Sequence, residues 1–135
     1  MKKIIAICII FILTFSLTAC VRTVDKTGKL RDLDFTVVSE ERLPAELKQI
    51  IDERKQEPFK VTFTDKEFLY ICVGYGEQST GGYSIVLDDL YETQNSIVAD
   101  TQLLGPKEKV EGEEIASYPY IVIKIENIEK SVVFE

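Results

Sequence analysis

The sequence predicts a mainly β fold: an antiparallel β-sandwich or open barrel of about seven strands with one N-terminal α-helix. Three observations carry this. After Pro58, apolar residues recur with the alternation of half-buried strands. Asn95, Gly105-Pro106, Gly112 and Asn127 punctuate these runs where turns are needed. Only one segment, before Pro58, has helical spacing.

Phe35-Thr36-Val37-Val38 is a short β-like run. The helix follows in Leu43–Glu57. Pro44 suits a helix start, and Glu46 sits near the positive N-terminal end. Leu43, Leu47, Ile50 and Ile51 form one apolar stripe, and Pro58 ends the helix. Phe59–Thr64 reads as a strand, Asp65-Lys66-Glu67 as a tight turn, and Phe68–Tyr75 as the returning strand. That strand is apolar on both faces and hence central. Tyr83–Leu90, Ser96–Leu104, Tyr118–Ile125 and Ser131–Phe134 complete the set, with Pro119 at a strand start or an edge.

The N-terminus has a different character. Lys2 and Lys3 precede an apolar run from Ile4 to Leu17, shorter than the ~20 residues a spanning helix needs. Small residues then lead into Cys20 in Leu17-Thr18-Ala19-Cys20. This pattern resembles the signal and lipobox of bacterial lipoproteins. The resemblance implies cleavage before Cys20, a diacylglyceryl group on its sulfur and acylation of the new amino group. Two or more chains anchor a protein stably. The expected organisation is a signal peptide over 1–19, a lipidated cysteine and tether over 20–34, and one domain over 35–135. The expected location is the extracytoplasmic face of a membrane.

Composition excludes several functions. Cleavage would leave 14 basic against 23 acidic residues, a charge of −9. Such a chain is a poor partner for nucleic acid. The sequence contains no histidine, so Ser-His-Asp and Cys-His nucleophile pairs are impossible. The commonest zinc ligand is missing with it. No cofactor and no metal are expected. Cys72 would be the one cysteine left beside Cys20, and its place in an apolar strand favours burial. Asp88, Asp89, Glu92 and Asp100 lack the spacing of a calcium loop, and strand alternation would point Asp88 and Asp89 to opposite faces.

Four of the seven glycines, Gly74, Gly76, Gly81 and Gly82, cluster in one loop. Ser79 and Thr80 sit at its tip, Tyr75 and Tyr83 at its shoulders, and Gln78 offers an amide. No Lys-Ser/Thr follows the glycines, and the next element is a strand, so it is not a phosphate loop. Two readings stand: a rigid recognition turn, or a hairpin whose glycines serve only its geometry. Tyr118 and Tyr120, two apart on one strand, form either an aromatic strip for a partner or ordinary packing.

The loop GYGEQSTGGYSI, the later SYPYIVIKI and the terminal VVFE resemble the PrcB C-terminal domain family over about Phe35 to Glu135. The motifs are Gly76–Tyr83, Ser117-Tyr118-Pro119-Tyr120 and the closing β run. The resemblance implies a small exported, often lipid-modified protein that accompanies an extracellular protease, with no catalytic residues to assign. More loosely, Ser79–Tyr83 is similar to the NPTTGY loop of chagasin-type cysteine-protease inhibitors. Gln78-Ser79 replaces the Asn-Pro of that loop, and the chain has no tryptophan for that family's second loop. The expected function is a lipid-anchored, non-catalytic protein-binding module, an accessory subunit of an exported protease complex. The alternatives are a direct protease inhibitor and a structural lipoprotein of the cell envelope. The candidate binding residues are Tyr75, Gln78, Ser79, Thr80, Gly81, Gly82, Tyr83, Tyr118 and Tyr120.

Overall fold

A computed structural model describes residues 28–108 and 115–135. The expected signal peptide, Cys20 and the first part of the tether lie outside the described residues. So does most of the charged turn after Leu104. Among the described residues, no helix is long and apolar enough to cross a membrane.

Among the described residues, eight strands form two four-stranded sheets. The first sheet has the order β1 (Lys29–Asp32), β5 (Ser84–Thr93), β6 (Ser96–Leu104), β8 (Ser131–Phe134). The second has the order β2 (Thr36–Val37), β7 (Tyr120–Glu126), β4 (Phe68–Tyr75), β3 (Pro58–Asp65). All pairings are antiparallel except β6 with β8, which is parallel. The architecture is therefore the sandwich rather than the open barrel, with both sheets left open at their edges.

Burial explains the pairing. β4 is buried along almost its whole length, as its two-sided apolar pattern predicts. Leu69, Ile71 and Val73 point between the sheets, where they meet Leu90, Ile97, Ala99 and Ile123. Tyr70 and Cys72 point the other way, where Leu47 and Ile51 of helix α1 (Ala45–Arg54) cover them together with Phe59 and Val122. The molecule thus has three layers: helix, sheet, sheet. Leu47 and Ile51 are fully buried, and Ile50 on the same stripe is half-buried. Pro44 caps α1 from outside: its φ of −55° suits the turn, and its carbonyl accepts from the Lys48 amide at 3.0 Å.

The β3–β4 hairpin closes through Lys66-Glu67, with Lys66 at φ 43°. A two-residue hairpin needs such a conformation to match the strand twist.

Two expectations are corrected. The tether does not extend to Asp34: Lys29, Arg31 and Asp32 pair with Thr93, Glu92 and Tyr91 of β5. The segment Lys29–Asp32 has no apolar alternation because it is an edge strand, held instead by charge. Arg31 Nε donates to Glu92 Oε2 at 2.7 Å, and Lys130 Nζ to Glu92 Oε1 at 2.7 Å. The second correction is at Asp88. Alternation does not run through Asp88-Asp89, because the register shifts between Leu87 and Asp89. Ile85 and Leu87 face the core before this bulge and Leu90 faces it after, so one extra residue changes the phase of the strand.

Candidate functional site

The glycine loop lies at one end of the sandwich, between the end of β4 and the start of β5. Backbone hydrogen bonds hold it on both flanks. On the helix side, the Glu77 amide donates to the Gln56 carbonyl at 3.0 Å. On the other side, Gln78 and Ser117 form an isolated antiparallel bridge, amide to carbonyl at 2.8 and 3.0 Å in the two directions. Ser117 Oγ also donates to the Thr80 carbonyl at 2.6 Å, and the Tyr75 amide to the Pro119 carbonyl at 3.0 Å. The two motifs read separately in the sequence, Gly76–Tyr83 and Ser117–Tyr120, are therefore one structural unit.

Two glycines of the loop combine a positive φ with a close neighbour. Gly76 has φ +75°, and a Cβ there would lie 2.9 Å from Pro58 Cδ. Gly82 has φ +83°, and a Cβ would lie 2.9 Å from Pro106 Cβ. Each combines a left-handed backbone with a rigid proline against it, so a side chain is excluded twice over. Gly81 has neither constraint: nothing lies within 4 Å of its would-be Cβ.

The candidate side chains divide accordingly. Gln78 turns back, its amide donating to the Tyr75 carbonyl at 3.2 Å. Tyr75 reaches across between the sheets, where its hydroxyl and Thr101 Oγ1 share a hydrogen bond of 2.8 Å. Tyr83 is half-buried, with its ring beside Gly105. Thr80 is half-buried and contributes its carbonyl to Ser117. Ser79, Gly81 and Gly82 are exposed, and so is Glu77, which the sequence reading did not single out.

Tyr118 and Tyr120 are both half-buried rather than open to solvent. Lys55 Nζ, at the end of α1, lies 5.8 Å from the Tyr118 ring centroid. Tyr120 packs with the cluster under the helix, and burial, then the Glu40 carboxylate, raises the pKa of its hydroxyl. Both rings thus face the helix layer. Beneath Tyr75, a cleft of about 470 Å³ opens between the edges of the two sheets. It is lined by Pro58, Lys60, Gly74, Tyr75, Thr101 and Glu135.

Chemically, the loop presents backbone and a hydroxyl. Ser79 has no side-chain hydrogen bond among the described residues. Cys72 is fully buried under the helix, and desolvation pushes its thiol up to about 12. Glu92 is held by Arg31 and Lys130, not by a metal set. Among the described residues, no group of acidic or cysteine side chains is arranged to hold a metal ion.

The fold and loop together define a class: a two-sheet sandwich that carries a stiff, largely exposed turn at one end. The family model described as PrcB C-terminal matches residues 69–126. The match starts in central strand β4, runs through the loop, β5, β6 and the Ser117–Pro119 segment, and ends in β7. The resemblance read from the loop and from Ser117–Tyr120 is thereby shown over those residues. No curated protein and no solved structure matches the chain.

Proposed function

We propose that this protein is a membrane-anchored, extracytoplasmic binding module without catalysis, and that it serves as an accessory subunit of an exported protease complex. The observation that carries the reading is the double anchoring of the loop. Gln56 and Ser117 fix its backbone on both flanks, while Ser79, Gly81 and Gly82 stay exposed. A turn held in one conformation loses little entropy when a partner closes over it. The same residues lie inside the stretch that matches the PrcB C-terminal family, whose resemblance suggests the protease complex. The non-catalytic part rests on the lack of histidine and the burial of Cys72. Anchoring rests on the Leu17–Cys20 motif.

The test is crosslinked capture from native membranes with the full chain as bait, beside a Ser79→Arg variant. Ser79 is exposed and makes no side-chain hydrogen bond among the described residues, so the fold should tolerate the change while the loop tip becomes bulky and charged. One dominant partner lost with Ser79→Arg supports the reading, and a protease in that complex supports its specific form. A partner retained by the variant refutes the loop as the binding site. No partner at all refutes the module.

A further inference from the structure

The glycine loop is also the passage between the two sheets. It leaves β4, in one sheet, at Tyr75 and enters β5, in the other, at Ser84. The separation of its two stems is therefore set by how the sheets sit at this end. The core between the sheets thins there. Val73 is buried, but Tyr75, Ile85 and Leu87 are half-buried, and the cleft of about 470 Å³ opens beside Tyr75 and Thr101. A side-chain hydrogen bond spans the gap: the Tyr75 hydroxyl and Thr101 Oγ1, 2.8 Å apart, join the last residue of β4 to β6. Thr101 in turn pairs with Leu87, near the start of the strand that forms the second stem. Tyr75 also carries the first stem. Its carbonyl accepts from the Gln78 side-chain amide at 3.2 Å, and its own amide donates to the Pro119 carbonyl at 3.0 Å.

We propose that Thr101, which lies outside the loop, is a positioning residue for it: through Tyr75 it ties the two sheets beneath Gly76–Tyr83 and holds the loop in the conformation that a protein partner takes up. The inference rests on the loop being the binding site, as read above. Losing this bond costs the fold little. Tyr75 and Thr101 are both half-buried and line the open cleft, so water can replace either partner and no polar group is left buried alone. The effect of its removal therefore falls on the order of the stems rather than on the core. A net hydrogen bond of this kind is worth roughly a two- to tenfold change in an opening equilibrium. A loosened loop must be ordered again when a partner closes over it, and that ordering is subtracted from the affinity. Valine at position 101 keeps the β-branched shape that suits a strand and removes the hydroxyl.

The experiment compares the full chain with Thr101→Val, Thr101→Ser, Tyr75→Phe and the Thr101→Val/Tyr75→Phe double variant by hydrogen exchange and mass spectrometry. It reads the peptides holding the bonded amides of Glu77, Gln78 and Ser117 against Leu69–Val73 of β4. Thr101→Val is expected to speed exchange at Glu77, Gln78 and Ser117 by roughly two- to tenfold and to leave Leu69–Val73 unchanged. Tyr75→Phe should do the same, the double variant should add nothing further, and Thr101→Ser should restore the original rate. Unchanged loop exchange in Thr101→Val overturns the positioning role. Equal acceleration at Leu69–Val73 overturns it too, by showing a general loss of stability. Failure of Thr101→Ser to restore the rate overturns it by assigning the effect to the methyl group. The same chains then enter the crosslinked capture beside Ser79→Arg. The expected result is a yield lowered by Thr101→Val and restored by Thr101→Ser. Full capture by Thr101→Val, where Ser79→Arg abolishes it, overturns the part of Thr101 in binding and leaves the loop as the site. Capture that finds no partner, or that Ser79→Arg does not reduce, overturns the loop reading and this inference with it.

Discussion

Gly81 and Gly82 are neighbours in the chain, yet the structure gives them opposite responses to the same substitution. At Gly82, alanine meets a left-handed backbone, which costs roughly 1–2 kcal/mol for a residue with a Cβ. It also meets Pro106 Cβ at 2.9 Å, and a proline ring cannot rotate away, so the upper part of that range applies. At Gly81, the Cβ enters open space and φ is not left-handed. Alanine there restricts the unfolded chain and should stabilise by about 0.4–1 kcal/mol. The two variants should therefore differ by about 1.5–3 kcal/mol. With a urea slope of ~2 kcal/mol/M, their midpoints should separate by on the order of 1 M. Equilibrium urea unfolding of the mature chain, followed by far-UV circular dichroism, reads this directly. Coincident midpoints for Gly81→Ala and Gly82→Ala would refute the account of the loop as a fixed conformation. A less stable Gly81→Ala would refute the assignment of open space around it.

Other consequences follow from the core and its charges. Leu47→Ala or Ile51→Ala should each cost about 2–5 kcal/mol by opening a cavity between helix and sheet, whereas Glu46→Ala on the exposed side should stay within ~0.5 kcal/mol by the same denaturation assay. The Cys72 thiol, pushed up to about 12 by burial, should resist maleimide in the native protein at mildly alkaline pH and react fully in urea; prompt native labelling would contradict its burial. Hydrogen bonds from Lys130 and then Arg31 hold the Glu92 carboxyl below its ordinary range. A lowered folded-state pKa gives stability that is present above the unfolded value near 4.3 and lost as pH falls through the folded value. Glu92→Gln should flatten the acid limb of the stability–pH curve, and an unchanged limb would show that the Arg31–Glu92–Lys130 cluster contributes nothing to it.

The readable parts of this fold are those where side-chain chemistry and backbone geometry say the same thing. Strand β4 announces its central place by being apolar on both faces, and α1 announces its buried stripe through Leu47 and Ile51. Strand β1 gives no such signal, because it is held by Arg31 and backbone pairing at a sheet edge rather than by burial. The bulge at Asp88 is silent as well: an inserted residue leaves composition unchanged and alters only phase. At the site, glycine density marked the loop and a Tyr-rich run marked Ser117–Tyr120. Their union was not legible, because Gln78 and Ser117 meet through main-chain amides and carbonyls that every residue carries. Sequence alternation placed Tyr118 and Tyr120 on one face but did not say that α1 lies over that face.

The strand order has a consequence for how the chain is made. One sheet combines β1, β5, β6 and β8, and the other combines β2, β7, β4 and β3. Each draws on both early and late segments, so no contiguous half of the polypeptide contains a finished sheet. Strand β8 follows every other described strand in the sequence, yet it lies against β6 in parallel, and the Glu135 amide donates to the Ala99 carbonyl at 3.0 Å. Until β8 is available, β6 carries an open template beside Ile97 and Ala99, with the hazard of pairing to another chain. The native state is therefore reached late and as a whole, dominated by contacts between distant parts of the sequence, which is the regime of slow folding. A nascent copy would stand in need of protection from β1 until β8 has been made.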